Sequence, residues 1–202
     1  MLYSWDMSFD IEKILALTEF SLKFRNVKRK TYYAQDWMPE NDAEHSWQLA
    51  FIGLYLIQTY NLPYNIEKVM LYAIVHDIVE IYAWDVPFLK RTHEQELEKI
   101  ENEKKAFERI VAELPEWPAL HSAIHDYEHR SDDEAKFIYV LDKLLPILNM
   151  TTDWGYRWKN EWHSLQDEID AKERKNTAQS PKMHELYEQI MEYMKNQEKE
   201  LF

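Results

Sequence analysis

The sequence predicts an all-helical fold, and three observations predict it. Two glycines in 202 residues, Gly53 and Gly155, leave almost none of the positive-φ positions that tight β-turns need. Apolar residues recur at helical spacing along most of the chain. Capping residues and prolines punctuate those runs where helices should begin and stop. With 46% hydrophobic and 14% aromatic residues, a chain of this length fills one substantial core. We read one domain over 1–202, with a core of about 8–150 and a C-terminal helical extension, 151–202, packed on it.

Taken in order, Ile11, Ile14, Leu15 and Leu22 predict an amphipathic helix over Asp10 to Phe24, with Ser8 as its cap. Arg25 to Glu40 mixes Arg25, Lys28, Arg29 and Lys30 with Tyr32, Tyr33 and Trp37 without a period and reads as a connecting loop. Asn41 or Asp42 caps a second helix running to Tyr60, with Leu49, Ile52 and Leu56 in its stripe and Pro63 beyond. A third helix, Asn65 to Tyr82, is almost continuously apolar from Val69 to Ile81 and should form the buried centre. Thr92-x-x-Gln95 opens a charged helix that ends before Pro115, and a shorter helix follows from Pro118 to Glu128. Ser131-x-x-Glu134 opens another, with Phe137, Ile138, Leu141, Leu144, Leu145 and Leu148 on its apolar face. The remainder carries Trp154, Trp158 and Trp162 at i, i+4, i+8, read as covering the core, a polar loop over Lys172 to Gln179, and Ser180-Pro181 starting a terminal helix.

The absence of cysteine removes disulfides, thiolate zinc sites and cysteine nucleophiles, so a metal must be held by His and carboxylate, which suits Mg, Mn, Fe, Co or Zn. Glycine scarcity removes the Rossmann fingerprint, the Walker A loop and the nucleophile elbow. A formal charge of −13 opposes binding to a nucleic-acid polymer. No apolar run approaches the ~20 residues of a membrane span and no basic-then-apolar leader precedes the fold, so the expected location is cytoplasmic.

Three predicted helices each place a buried polar group on an apolar stripe: His45, then His76 with Asp77, then Asp142. Such burial is costly without a partner, and one shared divalent cation would satisfy all four, leaving open positions for water and substrate. A lone His-Asp pair means little, and His125-Asp126 is a second example in this same chain. The weight lies in the set. Glu80 falls one turn beyond His76 on the predicted helix, where it can reach metal-held water as a general acid or base. Asp85, two residues before Pro87, can turn toward the same cavity from the following loop. His121, His125 and His129 share i, i+4, i+8 spacing, a candidate second metal ladder that has no matching acid partner.

The upstream Asp42-Ala-Glu-His45-Ser, the His76-Asp77-x-x-Glu80 run, Asp85-x-Pro87 and Asp142 in Leu-Asp-Lys-Leu together resemble the HD-domain metal-dependent phosphohydrolases, most of all the 5′-deoxynucleotidase branch. The resemblance extends from about Leu17 to Met150. It implies a single HD-domain helical bundle, one divalent metal on His45, His76, Asp77 and Asp142, and hydrolysis of a phosphomonoester by water activated there. It assigns Glu80 the acid/base role, Asp85 a catalytic and substrate contact, and Arg29 the orientation of the phosphate, Arg25 being the other arginine in reach. The implied partner is a small phosphorylated substrate, a (deoxy)nucleoside 5′-monophosphate, and a homodimer is left open. The branch commonly has Trp after that arginine and Thr-Gly before the later Asp, where this chain has Lys30 and Ala83-Trp84. Those positions lie around the sugar and base, so the reaction class is better supported than the substrate. The competing readings are an HD-fold phosphodiesterase or triphosphohydrolase, a di-iron oxygenase, and a non-catalytic nucleotide- or metal-binding regulatory module.

Overall fold

The computed structural model describes residues 9–32, 38–83, 93–160, 164–170 and 176–202. Among the described residues the regular structure is helical except for one short pair of strands. Helix α1 (Ile11–Phe24) is capped by Asp10, whose side chain accepts from Lys13 N, while Ser8 lies outside the described residues. Its predicted apolar stripe is not its buried side: Ile11, Ile14, Leu15 and Leu22 are exposed, and the helix packs through Phe20 and Phe24. The segment expected to be a loop instead pairs strands β1 (Lys28–Tyr32) and β2 (Pro39–Asn41) antiparallel, with Lys28 opposite Asn41 and Tyr32 opposite Pro39.

Helix α2 (Asp42–Tyr60) starts in a full capping box: Asn41 accepts from Glu44 N while the Glu44 side chain accepts from Asn41 N. The long third helix breaks into α3 (Ile66–Val75) and the short α4 (Glu80–Ala83). Across the break the hydrogen bonds tighten from i→i+4 to i→i+3, with Ile78 N donating to Val75 O and Glu80 N to Asp77 O. Helices α5 (His93–Glu113) and α6 (Pro118–Glu128) follow as expected, Thr92 lying outside the described residues.

Helix α7 (Asp133–Thr152), not α3, is the buried centre. Phe137, Ile138, Val140, Leu141, Leu144, Leu145 and Ile147 are all at most 1% exposed, whereas Leu71 and Ile74 of α3 face outward. Its cap is Asp132, which accepts from Ala135 N, rather than Ser131; Glu134 reaches instead to Asn65 N. Helices α2, α3 and α7 pack on one another around Gly53, where a Cβ would meet Val69 Cγ1 at 3.4 Å.

The C-terminal part comprises α8 (Tyr156–Asn160), α9 (Leu165–Asp170), a 3-10 turn over Thr177–Gln179, α10 (Pro181–Asn196) and α11 (Glu198–Leu201). Pro181 opens α10, but Ser180 gives it no side-chain cap; that hydroxyl lies 3.3 Å from the Tyr64 hydroxyl. Met183, Tyr187, Ile190, Met191 and Met194 bury α10 against the core. Of the tryptophan stripe, Trp158 is buried and stacks on Phe202, Trp154 is 63% exposed, and Trp162 lies outside the described residues. Gly155 is required where it stands: φ is +67°, and a Cβ there would come within 1.8 Å of Leu201 O. Among the described residues no helix is long and apolar enough to cross a membrane.

Candidate metal centre

The fold brings His45 from α2, His76 and Asp77 from the α3–α4 turn, and Asp142 from α7 into one cluster, each offering a ligand atom within 4.8 Å of the others. His45 Nε2 lies 2.9 Å from Asp142 Oδ1, His76 Nε2 lies 2.9 Å from Asp77 Oδ2, and His76 Nε2 lies 3.9 Å from Asp142 Oδ1. Adjacent ligands on a divalent cation with bonds near 2.1 Å sit about 3 Å apart, so these separations suit one ion. The break after Val75 matters here. His76 and Asp77, consecutive residues at that break, both bring a ligand atom to the cluster.

The donor chemistry also fits. His76 Nδ1 sits 3.0 Å from Ala73 O and donates its hydrogen there, so Nε2 is the nitrogen available to face a cation. That Nε2 is buried without a hydrogen-bond partner, although a carboxylate oxygen stands 2.9 Å away. A buried carboxylate this close to Nε2 needs positive charge between them, and a bound cation supplies it without protonating the ring.

Electrostatically the cluster calls for positive charge. Burial opposes ionisation of Asp77, yet His76 and Arg29 hold its carboxyl far below the usual range. Burial opposes Asp142 too, and Lys143 with His45 and His76 keeps it well below that range. His45, although burial and Arg29 push it down, is raised to about 9 by its contacts with Asp142 and Glu40. A divalent cation supplies that charge while leaving the imidazole neutral.

Arg29 enters from β1, 14% exposed. Its guanidinium lies against Asp77 and within 3.3 Å of Asp42 Oδ1, 3.4 Å of Glu40 Oε2 and 3.8 Å of Asp142 Oδ1. The Lys143 ammonium donates to Asp142 Oδ2 at 2.6 Å, so the two oxygens of Asp142 face different groups. Glu80 is 6% exposed and joins Asp42 and Asp77 in a second group of carboxylates within 4.8 Å. Asp85 lies outside the described residues, as does Trp84. Arg25 is exposed just beyond α1. The histidine ladder does not assemble: His125 and His129 stack on each other at 4.0 Å, His121 meets Phe107 edge-on, and among the described residues none of the three joins a group of potential ligands. Sequence reasoning missed Glu40 and Asp42 as members of the site and gave Lys143 no part in it. The signals available were an acid on each side of the cap Asn41 and a lysine next to a predicted ligand.

A buried His and Asp centre held between three helical elements defines the class: an all-α protein with a cluster that can hold a metal ion. The chain belongs to the HD domain family, which matches residues 22–186, further toward the C-terminus than the motifs alone reached. It is 29% identical over 120 residues to a 5′-deoxynucleotidase of Xenopus laevis, covering 57% of this chain and 56% of that protein. It is 31% identical over 119 residues to a 5′-deoxynucleotidase of Photorhabdus temperata, covering 54% and 59%. The chain thus spans less than two thirds of the length of these relatives. In three dimensions it is similar to a protein from Magnetospirillum magnetotacticum described as a predicted metal-dependent phosphohydrolase, with TM-score 0.73 and 26% identity over 92% of this chain and 96% of that one.

Proposed function

We propose that this protein is a metal-dependent phosphohydrolase that cleaves a phosphomonoester, with a (deoxy)nucleoside 5′-monophosphate as substrate. The observation that carries the reading is the convergence of His45, His76, Asp77 and Asp142 on one point. The 5′-deoxynucleotidases it resembles support the choice of substrate.

When bound, a divalent ion of the Mn, Co, Mg, Fe or Zn kind polarises a phosphoryl oxygen and makes water more acidic. The protein's own groups then have distinct tasks. Glu80, buried beside Asp77, takes a proton from the attacking water and returns one to the departing 5′-hydroxyl as the phosphorus–oxygen ester bond breaks. Arg29 and Lys143, each on a ligand carboxylate, place fixed positive charge at the cluster for the non-bridging phosphate oxygens. Asp85 contacts the sugar, in keeping with the family pattern.

The deciding experiment measures phosphate release from nucleoside mono-, tri- and cyclic phosphates by protein stripped of metal and reloaded separately with Mg, Mn, Co or Fe. Deoxynucleoside 5′-monophosphates should be the best substrates, with no turnover before reloading. A preference for triphosphates or cyclic phosphates would overturn the substrate assignment, and metal-independent turnover would overturn the reaction.

A further inference from the structure

Glu40 is the least expected charge in the molecule. It stands in the short strand β2, is 0% exposed, and neither of its carboxylate oxygens has a hydrogen-bond partner. A carboxylate so placed is retained only where cationic or donor groups compensate it. Two groups face it: Arg29 Nε at 3.4 Å and His45 Nδ1 at 3.4 Å, both themselves buried and without a hydrogen bond. The reaction proposed above gives Glu40 no task.

We infer that Glu40 is a positioning residue for the metal centre: it holds the His45 ring in the tautomer that points a lone pair from Nε2 at the metal, and it seats Arg29 beside Asp77. An imidazole that ligates through Nε2 carries its hydrogen on Nδ1, and that hydrogen needs an acceptor. For His76 the acceptor is the carbonyl of Ala73. For His45 the group facing Nδ1 is the Glu40 carboxylate, while Nε2 faces Asp142. One histidine is therefore oriented by a neutral backbone dipole and the other by a full negative charge, which makes His45 the stronger donor. The hairpin is the device. Pairing Lys28 with Asn41 sets Arg29 and Glu40 side by side, and the Asn41 capping box carries the chain directly from Glu40 into α2, one turn before His45.

The inference rests on the metal centre proposed above. Its test is the dissociation constant for cobalt, from competition with a chromophoric chelator, in the parental chain and in the Glu40→Gln and Glu40→Leu variants, together with the melting temperature of each protein without metal. Glutamine keeps an acceptor for His45 but loses the charge, so cobalt binding should weaken about 10-fold; leucine removes both, and the loss should approach about 100-fold. The metal-free melting temperature of the glutamine variant should not fall, because Asp42, Asp77 and Asp142 leave the site with an excess of acids. Parental affinity in both variants overturns the inference alone. A glutamine variant whose metal-free stability falls in step with its affinity overturns it in favour of a purely structural role, and this near-isosteric variant decides even where the leucine variant folds poorly. A parental protein that takes up no cobalt overturns the metal centre and this inference with it.

Discussion

The chain places the same dipeptide, His-Asp, in two physical settings. His76-Asp77 sits at the break between α3 and α4, its histidine side chain fully buried and its aspartate 17% exposed, facing a second histidine, a second acid and an arginine. His125-Asp126 sits on α6 with side chains 58% and 44% exposed; His125 stacks on His129, and Asp126 lies on the surface near Lys68, Tyr72 and Asp132. The second pair stands open to solvent, and the first is largely withdrawn from it. Desolvation turns a common dipeptide into a demand for a cation, and the dipeptide alone carries no such information.

The sharpest way to break this contrast is to remove the two aspartates in turn. Asp77→Ala should lower metal affinity at least about 100-fold and bring phosphate release to background, whereas Asp126→Ala should leave both at parental values, as metal content and turnover assays would record. Glu80→Gln should separate binding from chemistry on the buried side: metal content is retained while kcat falls about 100-fold or more.

On the exposed side the effects concern stability and are smaller. Asp132→Ala removes the α7 cap and should cost about 1 kcal/mol at pH 7 in a denaturant melt. Although burial opposes it, hydrogen bonds from Lys68, Ala135 N and Tyr72 hold the Asp132 carboxyl below its ordinary value. A carboxyl depressed in the folded state stabilises above its unfolded pKa, near 3.8, and loses that contribution as pH falls through the folded value. The gap between Asp132→Ala and the parent should therefore narrow on acidification below about pH 4. Last, His125→Ala combined with His129→Ala should leave metal content unchanged and shift stability by no more than about 0.5 kcal/mol.

Much of this was legible in the sequence, because helical periodicity is a local signal. The spans of α2, α6 and α7 and the core face around Asp142 follow from spacing alone, and four polar residues on three apolar stripes were enough to expect a shared cation. What the sequence concealed depends on contacts distant along the chain or on choices between equivalent neighbours. The β1–β2 pairing joins Lys28 to Asn41 and Tyr32 to Pro39 and has no alternating pattern to announce it, so the sequence does not reveal that Arg29 and Glu40 are adjacent. Ser131 and Asp132 can each cap α7, and the extra partners Lys68 and Tyr72 favour Asp132. The apolar run from Val69 to Ile81 masked the break after Val75, because such a run satisfies any helical phase. Trp154 fell out of its expected stripe because the chain turns there, with φ +57°, ahead of Gly155.

The central claim is that one metal ion sits among His45, His76, Asp77 and Asp142. The most direct measurement is an anomalous difference map from crystals of the protein loaded with manganese. The account predicts a single strong peak per chain within bonding distance of those four side chains. A peak against His125 and His129, or one between Asp42, Asp77 and Glu80 with none at the two histidines, would contradict it.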